Sequence, residues 1–250
     1  DEVFHQQLKE LHADLQIVVA FRMLPESIWS MPRLGSINVH ASLLPNYRGA
    51  APINWAIING ESKTGVTTFF LKHEIDTGDI VFQDETIITP DDNAGSIHDK
   101  LKVQGAQLLK KTVEAIINDN YVEVPQNQIE TSEIKHAPKI FKEDCKIDWE
   151  KPAESIHNLV RGLSPYPAAW ANFMDESGNI HPVKIFQTST EHVNHELKSG
   201  TLVSDQKEYL KIAVKEGFLW VHNLQLSGKK RMNIQEFLRG HKEIEKMRAV

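Results

Sequence analysis

The sequence is poor in cysteine and in long apolar runs, and each shortage narrows what the chain can be. Its single cysteine, Cys145, excludes an internal disulfide framework and fits a reducing compartment, so we expect a cytoplasmic location. The longest apolar stretches are too short to cross a bilayer. The opening residues, DEVFHQQLKELHADLQ, are acidic and amphipathic, so we expect no secretory signal peptide. We therefore expect a soluble protein with no membrane partner.

Common catalytic and metal-binding motifs are missing as well. The sequence contains no G-x-S-x-G, no P-loop, no G-x-G-x-x-G and no Cys/His set with zinc spacing. We therefore expect that no metal is required.

The composition is that of an ordinary globular protein, with 40% hydrophobic and 25% charged residues. A length of 250 residues exceeds one typical domain and favours two. Residues 1–136 hold 11 Lys+Arg against 19 Asp+Glu, whereas residues 137–250 hold 17 against 15. The less acidic second half could face a polyanion, although ordinary variation between two domains explains the difference equally well.

The spacing of apolar residues predicts an α/β domain in the first half. Helices are predicted over VFHQQLKELHADL, PESIWSM, GAAPINWAIING and residues 94–118, and buried or half-buried strands over LQIVVAF, GSINVH, GVTTFFL and IVFQDETIIT. LQIVVAF is expected to be fully buried. Strands that alternate with helices favour a largely parallel sheet.

The pattern changes after about residue 139. Residues 119–138 are polar and contain two prolines, which indicates a linker or a last strand with its connection. Short apolar runs then alternate with turn residues, over AAWANF, HPVKIFQ, GTLVS, YLKIAV and GFLWVHNL. This spacing predicts a small antiparallel barrel or sandwich. We place the first domain at 1–120, the linker at 121–138 and the second domain at 139–250.

Polar side chains stand where two predicted strands end. Asn38 and His40 are two positions apart, so both point to one face of the strand GSINVH. Asp76 follows the next strand, and ligands of open α/β sheets bind at such strand ends. An amide, an imidazole and a carboxylate together could perform acyl-group chemistry. Spacing alone leaves an alternative open, in which Asn38 bridges a turn and His40 is a satisfied buried histidine.

A family resemblance decides between these alternatives. NVHASLLPNYRGAAPINWAI and GVTTFFLKHEIDTGDI closely resemble the signature of the folate-dependent formyltransferases. FKEDCKIDWEKPAESIHNLVRGLSPYPAAWANF resembles the start of the family's C-terminal domain, so the likeness covers nearly the whole chain. The resemblance implies an α/β fold: a Rossmann-like formyltransferase domain followed by an OB-like antiparallel β-barrel domain.

The resemblance implies formyl transfer from the cosubstrate 10-formyltetrahydrofolate to the α-amino group of methionyl initiator tRNA, for translation initiation. Asn38 and protonated His40 would stabilise the formyl oxygen, and His40 or water would assist proton movement to N10. Asp76 would favour the imidazolium. Three alternatives stay open: an amino sugar nucleotide as acceptor, hydrolysis of formyltetrahydrofolate, and a non-catalytic RNA- or folate-binding role.

The resemblance also implies residues that contact the folate. They are Phe21, Arg22 and Met23 in the loop after the first strand, the corner Ser42, Leu43, Leu44 and Pro45, and the wall His73, Glu74 and Ile75. For the corner the alternative is a structural turn with core leucines. His73 is the rival base should His40 fail.

Contact with tRNA is expected from Arg48 and from the basic run Lys229, Lys230 and Arg231. Arg48 could instead meet the folate tail or anchor its own loop by a salt bridge, and the basic run could be a solvated turn. We expect a monomer.

Family members carry further α/β units ahead of the helix DEVFHQQLKELHADL, so the resemblance implies an N-terminally truncated first domain. We expect these 250 residues alone to be poorly stable or inactive.

Overall fold

A computed structural model of the chain describes residues 2–19, 23–131 and 133–250. Contacts divide the chain into a first unit, Asp1–Trp55, Ser62–Thr89 and Ile97–Lys139, and a second unit, Ala56–Glu61, Pro90–Ser96 and Ile140–Val250. Within the described part of the chain, we find no helix that combines the length and the apolar character needed to cross a membrane.

The first unit holds a four-stranded sheet with helices. The helices are α1 (Glu2–Glu10), α2 (Glu26–Trp29), α3 (Pro52–Ile58) and α4 (Ala94–Ile117), of which α3 and α4 run into the second unit. The strands are β1 (Gln16–Val18), β2 (Ser36–His40), β3 (Arg48–Gly49), β4 (Lys63–Phe70), β5 (Ile80–Ile87) and β6 (His136–Ala137). The predicted helices and strands of this half are therefore confirmed, with α1, β1, α2 and α3 shorter than expected and with the short strand β3, which was not predicted, just before α3.

The prediction of a largely parallel sheet is wrong for the described strands. The order is β1-β2-β4-β5; β1 and β2 are parallel, whereas β4 is antiparallel to both β2 and β5. The reason lies in the connections. Helix α2 lies in the connection that makes β1 and β2 parallel, whereas β4 and β5 are joined by the loop 71–79, which is too short for a crossover. Strands β2 and β4 are antiparallel although residues 41–62, which include α3, are long enough for one, so the length of the connection does not decide that pair.

The prediction that LQIVVAF is fully buried is also wrong where the structure describes it. Ile17 is 46% exposed and Val19 is 58% exposed. Strand β1 is the outer strand of the sheet, and α1 buries none of its own residues, so the described elements leave one side of β1 uncovered. In contrast, Ile37 in the middle of β2 is fully buried.

The second unit is an antiparallel barrel. Its strands are β7 (Ala169–Met174), β8 (Ile180–Glu191), β9 (Leu202–Ser204), β10 (Leu210–Val214), β11 (Gly217–Leu226), β12 (Met232–Asn233) and β13 (Arg248–Ala249). They follow the order β13-β7-β8-β11-β10-β9, with β12 on β11. A bridge between Thr201 and Arg248 joins the two ends of this order, so the sheet nearly closes. The predicted strand runs and the barrel are confirmed.

Two helices complete this unit, α5 (Ala153–Leu163) and α6 (Ile234–Gly240), and the sequence analysis did not predict either. Ile156, Val160 and Leu163 of α5 are buried in the barrel core, and their spacing was a readable helical signal. Asn233 is the N-cap of α6, and its side chain accepts from the Glu236 N–H in a capping box.

Candidate active site

A cleft of about 910 Å³ opens in the first unit where β2 ends. Asn38, His40 and Asp76 all line it, and each is at least nine-tenths buried as a residue or side chain. The three side chains converge as predicted, but the predicted route is wrong. Strand β4 is antiparallel to β2, so its end at Phe70 lies beside Ile37 near the start of β2, and it is the loop 71–79 that brings Asp76 to His40. Their chemical roles stay predictions.

Asn38 lines the cleft together with His40, two positions along β2, and the register Val18↔Asn38 places it beside the main chain of Val18. Its Nδ2 donates to the Val18 carbonyl at 2.9 Å. A side-chain amide nitrogen carries two hydrogens, so this bond orients the group and leaves a second N–H for a ligand. The bond also makes the orientation of the amide unambiguous, since a carbonyl only accepts.

His40 is held by one ring nitrogen and presents the other. Its Nε2 lies 2.8 Å from the Tyr47 carbonyl, which can only accept, so Nε2 carries the proton of the neutral ring. Its Nδ1 lies 3.7 Å from Asp76 Oδ2. That separation is an ion-pair distance, longer than a hydrogen bond, and such contacts often tighten only when substrate binds.

Asp76 sits on a sharply turned loop between β4 and β5. Its φ is +57°, in the left-handed region that L-residues seldom adopt, and its Oδ2 accepts from the Gly49 N–H at 2.9 Å. This hydrogen bond fixes the carboxylate toward β3 and leaves it beside His40.

Most of the other predicted wall residues line the cleft. Met23, His73, Glu74 and Ile75 are all in contact with it. His73 lies on the exposed rim, where its Nε2 is 3.2 Å from Glu26 Oε1. It is therefore placed as a wall residue rather than as a base at the centre. Phe21 and Arg22 lie outside the described residues.

The corner at Ser42, Leu43, Leu44 and Pro45 is not in the cleft wall. Ser42 is fully buried and donates to the Asn46 carbonyl at 2.6 Å, and Leu44 is 2% exposed in a small core cluster. Its neighbour Ala41 lines the cleft instead. Ser42 and Leu44 make these contacts within the protein, as a structural turn with core leucines would, and a turn of this kind can also pack against a ligand. Contact between this corner and folate stays a prediction.

The residues predicted to contact tRNA lie in both units. Arg48 is half-buried and donates from Nε and Nη2 to Gln126 Oε1, which matches the loop-anchor alternative, with an amide in place of a carboxylate. Lys229, Lys230 and Arg231 are exposed at a turn of the second unit. The Arg231 guanidinium lies 4.4 Å from the Phe186 ring centroid. Their contact with tRNA stays a prediction.

Two groups of residues at the site were not predicted. One is a face of α4 that forms part of the cleft wall: His98, Leu101, Lys102, Gly105, Ala106 and Leu109. Its three- and four-residue spacing marks one face of a helix, but no sequence signal tells which ligand that face meets. The other is Gln126, which is buried beside the Asp76 loop.

Gly78 lets the loop that carries Asp76 close. A Cβ added there would lie 1.5 Å from the Phe70 carbonyl oxygen. We expect Gly78→Ala to destabilise the first unit by about 3 kcal/mol or more. That loss corresponds to a fall in melting temperature of roughly 6–12 °C. Thermal unfolding followed by circular dichroism measures it.

Gly240→Ala is the matched control, because a Cβ there meets nothing within 4 Å. Its melting temperature should stay near that of the wild type. A Gly78→Ala protein that melts with the wild type would show that the loop is not packed as described.

Comparison with known proteins relates both units to formyl-transferring enzymes. The family model described as formyl transferase matches residues 1–113. The model described as formyl transferase, C-terminal domain, matches residues 139–242. Methionyl-tRNA formyltransferase of Parabacteroides distasonis is 52% identical over 246 residues, which are 98% of this chain and 76% of the relative. The protein of the same name from Bacteroides thetaiotaomicron is 53% identical over 96% of this chain and 75% of its own length.

Solved structures share the fold. HypX from Aquifex aeolicus in complex with tetrahydrofolic acid superposes with a TM-score of 0.67 at 20% identity, over 95% of this chain and 41% of HypX. The chain thus spans about two fifths of that protein. WlaRD, a sugar 3N-formyl transferase, gives a TM-score of 0.63 at 23% identity, over 89% of this chain and 77% of WlaRD. The predicted fold class, a Rossmann-like formyltransferase domain followed by an antiparallel barrel, is confirmed.

Proposed function

We propose a site chemistry for this chain, which belongs to the methionyl-tRNA formyltransferase family. The chain is an enzyme that transfers a formyl group to the methionyl-tRNA used in translation initiation. In our proposal the acceptor is the α-amino group of methionyl initiator tRNA and the donor is 10-formyltetrahydrofolate. The observation that carries the proposal is the convergence of Asn38, His40 and Asp76 on one cleft.

The cleft suits a folate cosubstrate in size and in lining. Its volume of about 910 Å³ lies within the range of roughly 300–1,000 Å³ that is usual for small-molecule pockets. Leu24, Val66 and Leu101 supply apolar wall, against which a pterin and its aromatic linker can pack. The polar groups are few and lie close together, as a site that orients one reacting group requires.

10-Formyltetrahydrofolate supplies the formyl carbon, to which the amine nitrogen bonds as the bond from carbon to N10 breaks. Negative charge develops on the formyl oxygen during this exchange. Asn38 would donate its second N–H to that oxygen, since its first is held by Val18. Losing one such donor typically costs about 2.7–4 kcal/mol of transition-state stabilisation.

His40 and Asp76 would manage the charge and the proton. With Nε2 committed to the Tyr47 carbonyl, Nδ1 is the nitrogen that can exchange a proton with the reacting groups. The attacking amine loses one proton and N10 gains one, so the reaction needs no net proton from solvent. His40 would pass that proton directly or through water, and the Asp76 carboxylate, 3.7 Å away, would stabilise the positive ring.

A sugar nucleotide is the second acceptor to consider, because sugar formyltransferases share this fold. Identity favours tRNA, at 52% over 98% of the chain against 23% over 89%. Charged tRNA as substrate also supports a cytoplasmic location. The proposal includes contact between the tRNA phosphates and the basic side chains Lys229, Lys230 and Arg231. Removing these side chains should lower the affinity for tRNA, and the size of the loss should depend on the salt concentration.

A set of acceptors tests the proposal directly. The protein is given 10-formyltetrahydrofolate with methionyl initiator tRNA, with an amino sugar nucleotide, or with no acceptor. We expect rapid formylation of methionyl-tRNA only, read as formylmethionine released from the tRNA. Formylation of the sugar, or tetrahydrofolate release at the same rate with no acceptor, would contradict the proposal.

A further inference from the structure

Gln126 is a buried polar residue that packs against the Asp76 loop, and it belongs to none of the catalytic motifs discussed above. It begins the short 3-10 turn Gln126–Gln128 and is 5% exposed. Its Nε2 donates to the main-chain carbonyls of Asp76 and Gly78, both at 2.8 Å. Its Oε1 accepts from Arg48 Nε at 3.0 Å and from Arg48 Nη2 at 2.6 Å. The amide thus uses both of its hydrogens and both acceptor positions of its oxygen.

The orientation of this amide is set by its partners. Carbonyl oxygens only accept hydrogen bonds, and a guanidinium only donates them. A flipped amide would turn its oxygen toward two carbonyl oxygens and its NH₂ toward Arg48. Only one of the two orientations therefore satisfies Gln126.

These contacts hold Asp76 at two points. Its main-chain oxygen accepts from Gln126, and its Oδ2 accepts from the Gly49 N–H. Arg48 precedes Gly49 in β3 and binds Gln126, so the two supports are joined to each other. The left-handed backbone of Asp76, with φ of +57°, costs energy and persists only where such contacts maintain it.

The support itself rests on paired backbone. Val124 and Ile80 exchange two hydrogen bonds of 2.9 Å just before Gln126. After it, β6 pairs with β3 in the register Arg48↔His136 and Gly49↔Ala137. The segment 121–138, which the sequence analysis treated as a linker, is thus held by main-chain pairing both before and after Gln126.

We propose that Gln126 is a positioning residue for formyl transfer, which holds the Asp76 carboxylate in place beside His40 Nδ1. This inference rests on the proposed function of the site. Gln126 and Arg48 do not line the cleft itself but line a smaller cavity beside it. All hydrogen bonds of the Gln126 amide go to the Asp76 loop and to Arg48, so its effect on the cleft passes through Asp76. Displacing a catalytic group by about 1 Å can cost roughly 10²-fold in rate.

The test uses Gln126→Glu in the full protein, with Gln128→Glu as the matched control. Both change an amide to a carboxylate within the same 3-10 turn, but Gln128 is exposed. In Gln126→Glu one carboxylate oxygen would keep the bonds to Arg48, and the other would face the two loop carbonyls, which it cannot donate to. Steady-state kinetics with methionyl initiator tRNA and 10-formyltetrahydrofolate give kcat and both KM values, and a thermal melt checks folding.

We expect Gln126→Glu to lower kcat by about 10- to 100-fold, with both KM values within about twofold of wild type. Gln128→Glu should match the wild type. Gln126→Met, which keeps the volume and removes every hydrogen bond, should lower kcat in the same way. Unchanged kcat, an equal loss in Gln128→Glu, or a rise in KM alone would overturn the proposal. Failure of both Gln126 variants to fold would overturn it too, since the residue would then hold the fold and not the carboxylate.

Arg48 provides a further check through a double-mutant cycle. If Arg48 acts through Gln126, Arg48→Met lowers kcat, and adding Gln126→Met lowers it little further. If Arg48 instead only binds tRNA, Arg48→Met raises the KM for tRNA. The loss of activity in the double variant then equals the product of the two single losses. That result would count against a support shared by Arg48 and Gln126. A wild type that formylates no acceptor would refute the proposed function itself, and so is distinct from these outcomes.

Discussion

His40→Asn is expected to lower kcat for formyl transfer by about 10²- to 10⁴-fold, the range that a positioned acid/base group supplies. Asn cannot exchange a proton near neutral pH, so the route through Nδ1 is lost. Affinity for folate should change little, because His40 is one of many residues that form the cleft. Single-turnover formylation with saturating methionyl-tRNA measures the chemical step apart from product release.

His12→Asn is the matched control for that experiment. His12 is exposed, lies outside the cleft, and has a φ of 47°, a conformation that Asn adopts readily. Its rate should equal that of the wild type. Full activity of His40→Asn would remove His40 from the mechanism and leave His73, on the rim, as the histidine to test.

Asp76→Asn is the second substitution with a large expected effect, again a fall in kcat of about 10²- to 10⁴-fold. The change keeps the shape of the side chain, and the amide oxygen can still accept from the Gly49 N–H. Oδ2 is also the oxygen that lies 3.7 Å from His40 Nδ1, so an amide oxygen in its place leaves the ring without its charged partner. The same substitution in the Ser-His-Asp triad costs about 10⁴-fold, there because the histidine adopts the wrong tautomer.

Asp79→Asn controls for the loop and for the loss of charge. Asp79 lies in the same loop and pairs with Lys72 Nζ at 2.6 Å, near the surface. Partly exposed ion pairs of this kind are worth about 0–1 kcal/mol, so stability and rate should change little. If both aspartate variants lost activity equally, the carboxylate of Asp76 would have no special role, and the loop as a whole would be at issue.

The sequence was most informative where local geometry alone determines the outcome. Two side chains two positions apart on a strand must share a face, so Asn38 and His40 could be placed together without coordinates. The helix α4 was readable from its period over 94–118. Both inferences use spacing within one element. Asp76 was added from the expectation that strand ends meet at one rim of a sheet, but β4 is antiparallel to β2, and it is the loop 71–79 that brings Asp76 to His40.

Long-range pairing could not be read in the same way. That β4 runs antiparallel to β2 depends on the path of the connecting chain, and both directions give the same alternation of side chains. The hydrogen bond from Ser42 to the Asn46 carbonyl in its own turn could not be read from the sequence pattern either. Gln126 lies 50 residues from Asp76 in a polar segment, and no periodicity joins them.

The expected effects also rank the residues by their distance from the chemistry. His40 and Asp76 would touch the reacting groups, and their loss should cost the most. Gln126 would act one contact further out, with a smaller expected loss in kcat. Gly78 supports the backbone that carries Asp76, so its substitution should appear first as lost stability.

A crystal structure of the full protein with 5-formyltetrahydrofolate, an isomer of the proposed donor, tests the central claim most directly. We predict a pterin within the cleft and N10 within about 4 Å of both His40 Nδ1 and the Asn38 amide, close to hydrogen-bond reach. The Asp76 carboxylate should lie beside the imidazole, with its Oδ2 still accepting from the Gly49 N–H. A folate bound elsewhere, or one whose N10 points away from these three side chains, would contradict the account.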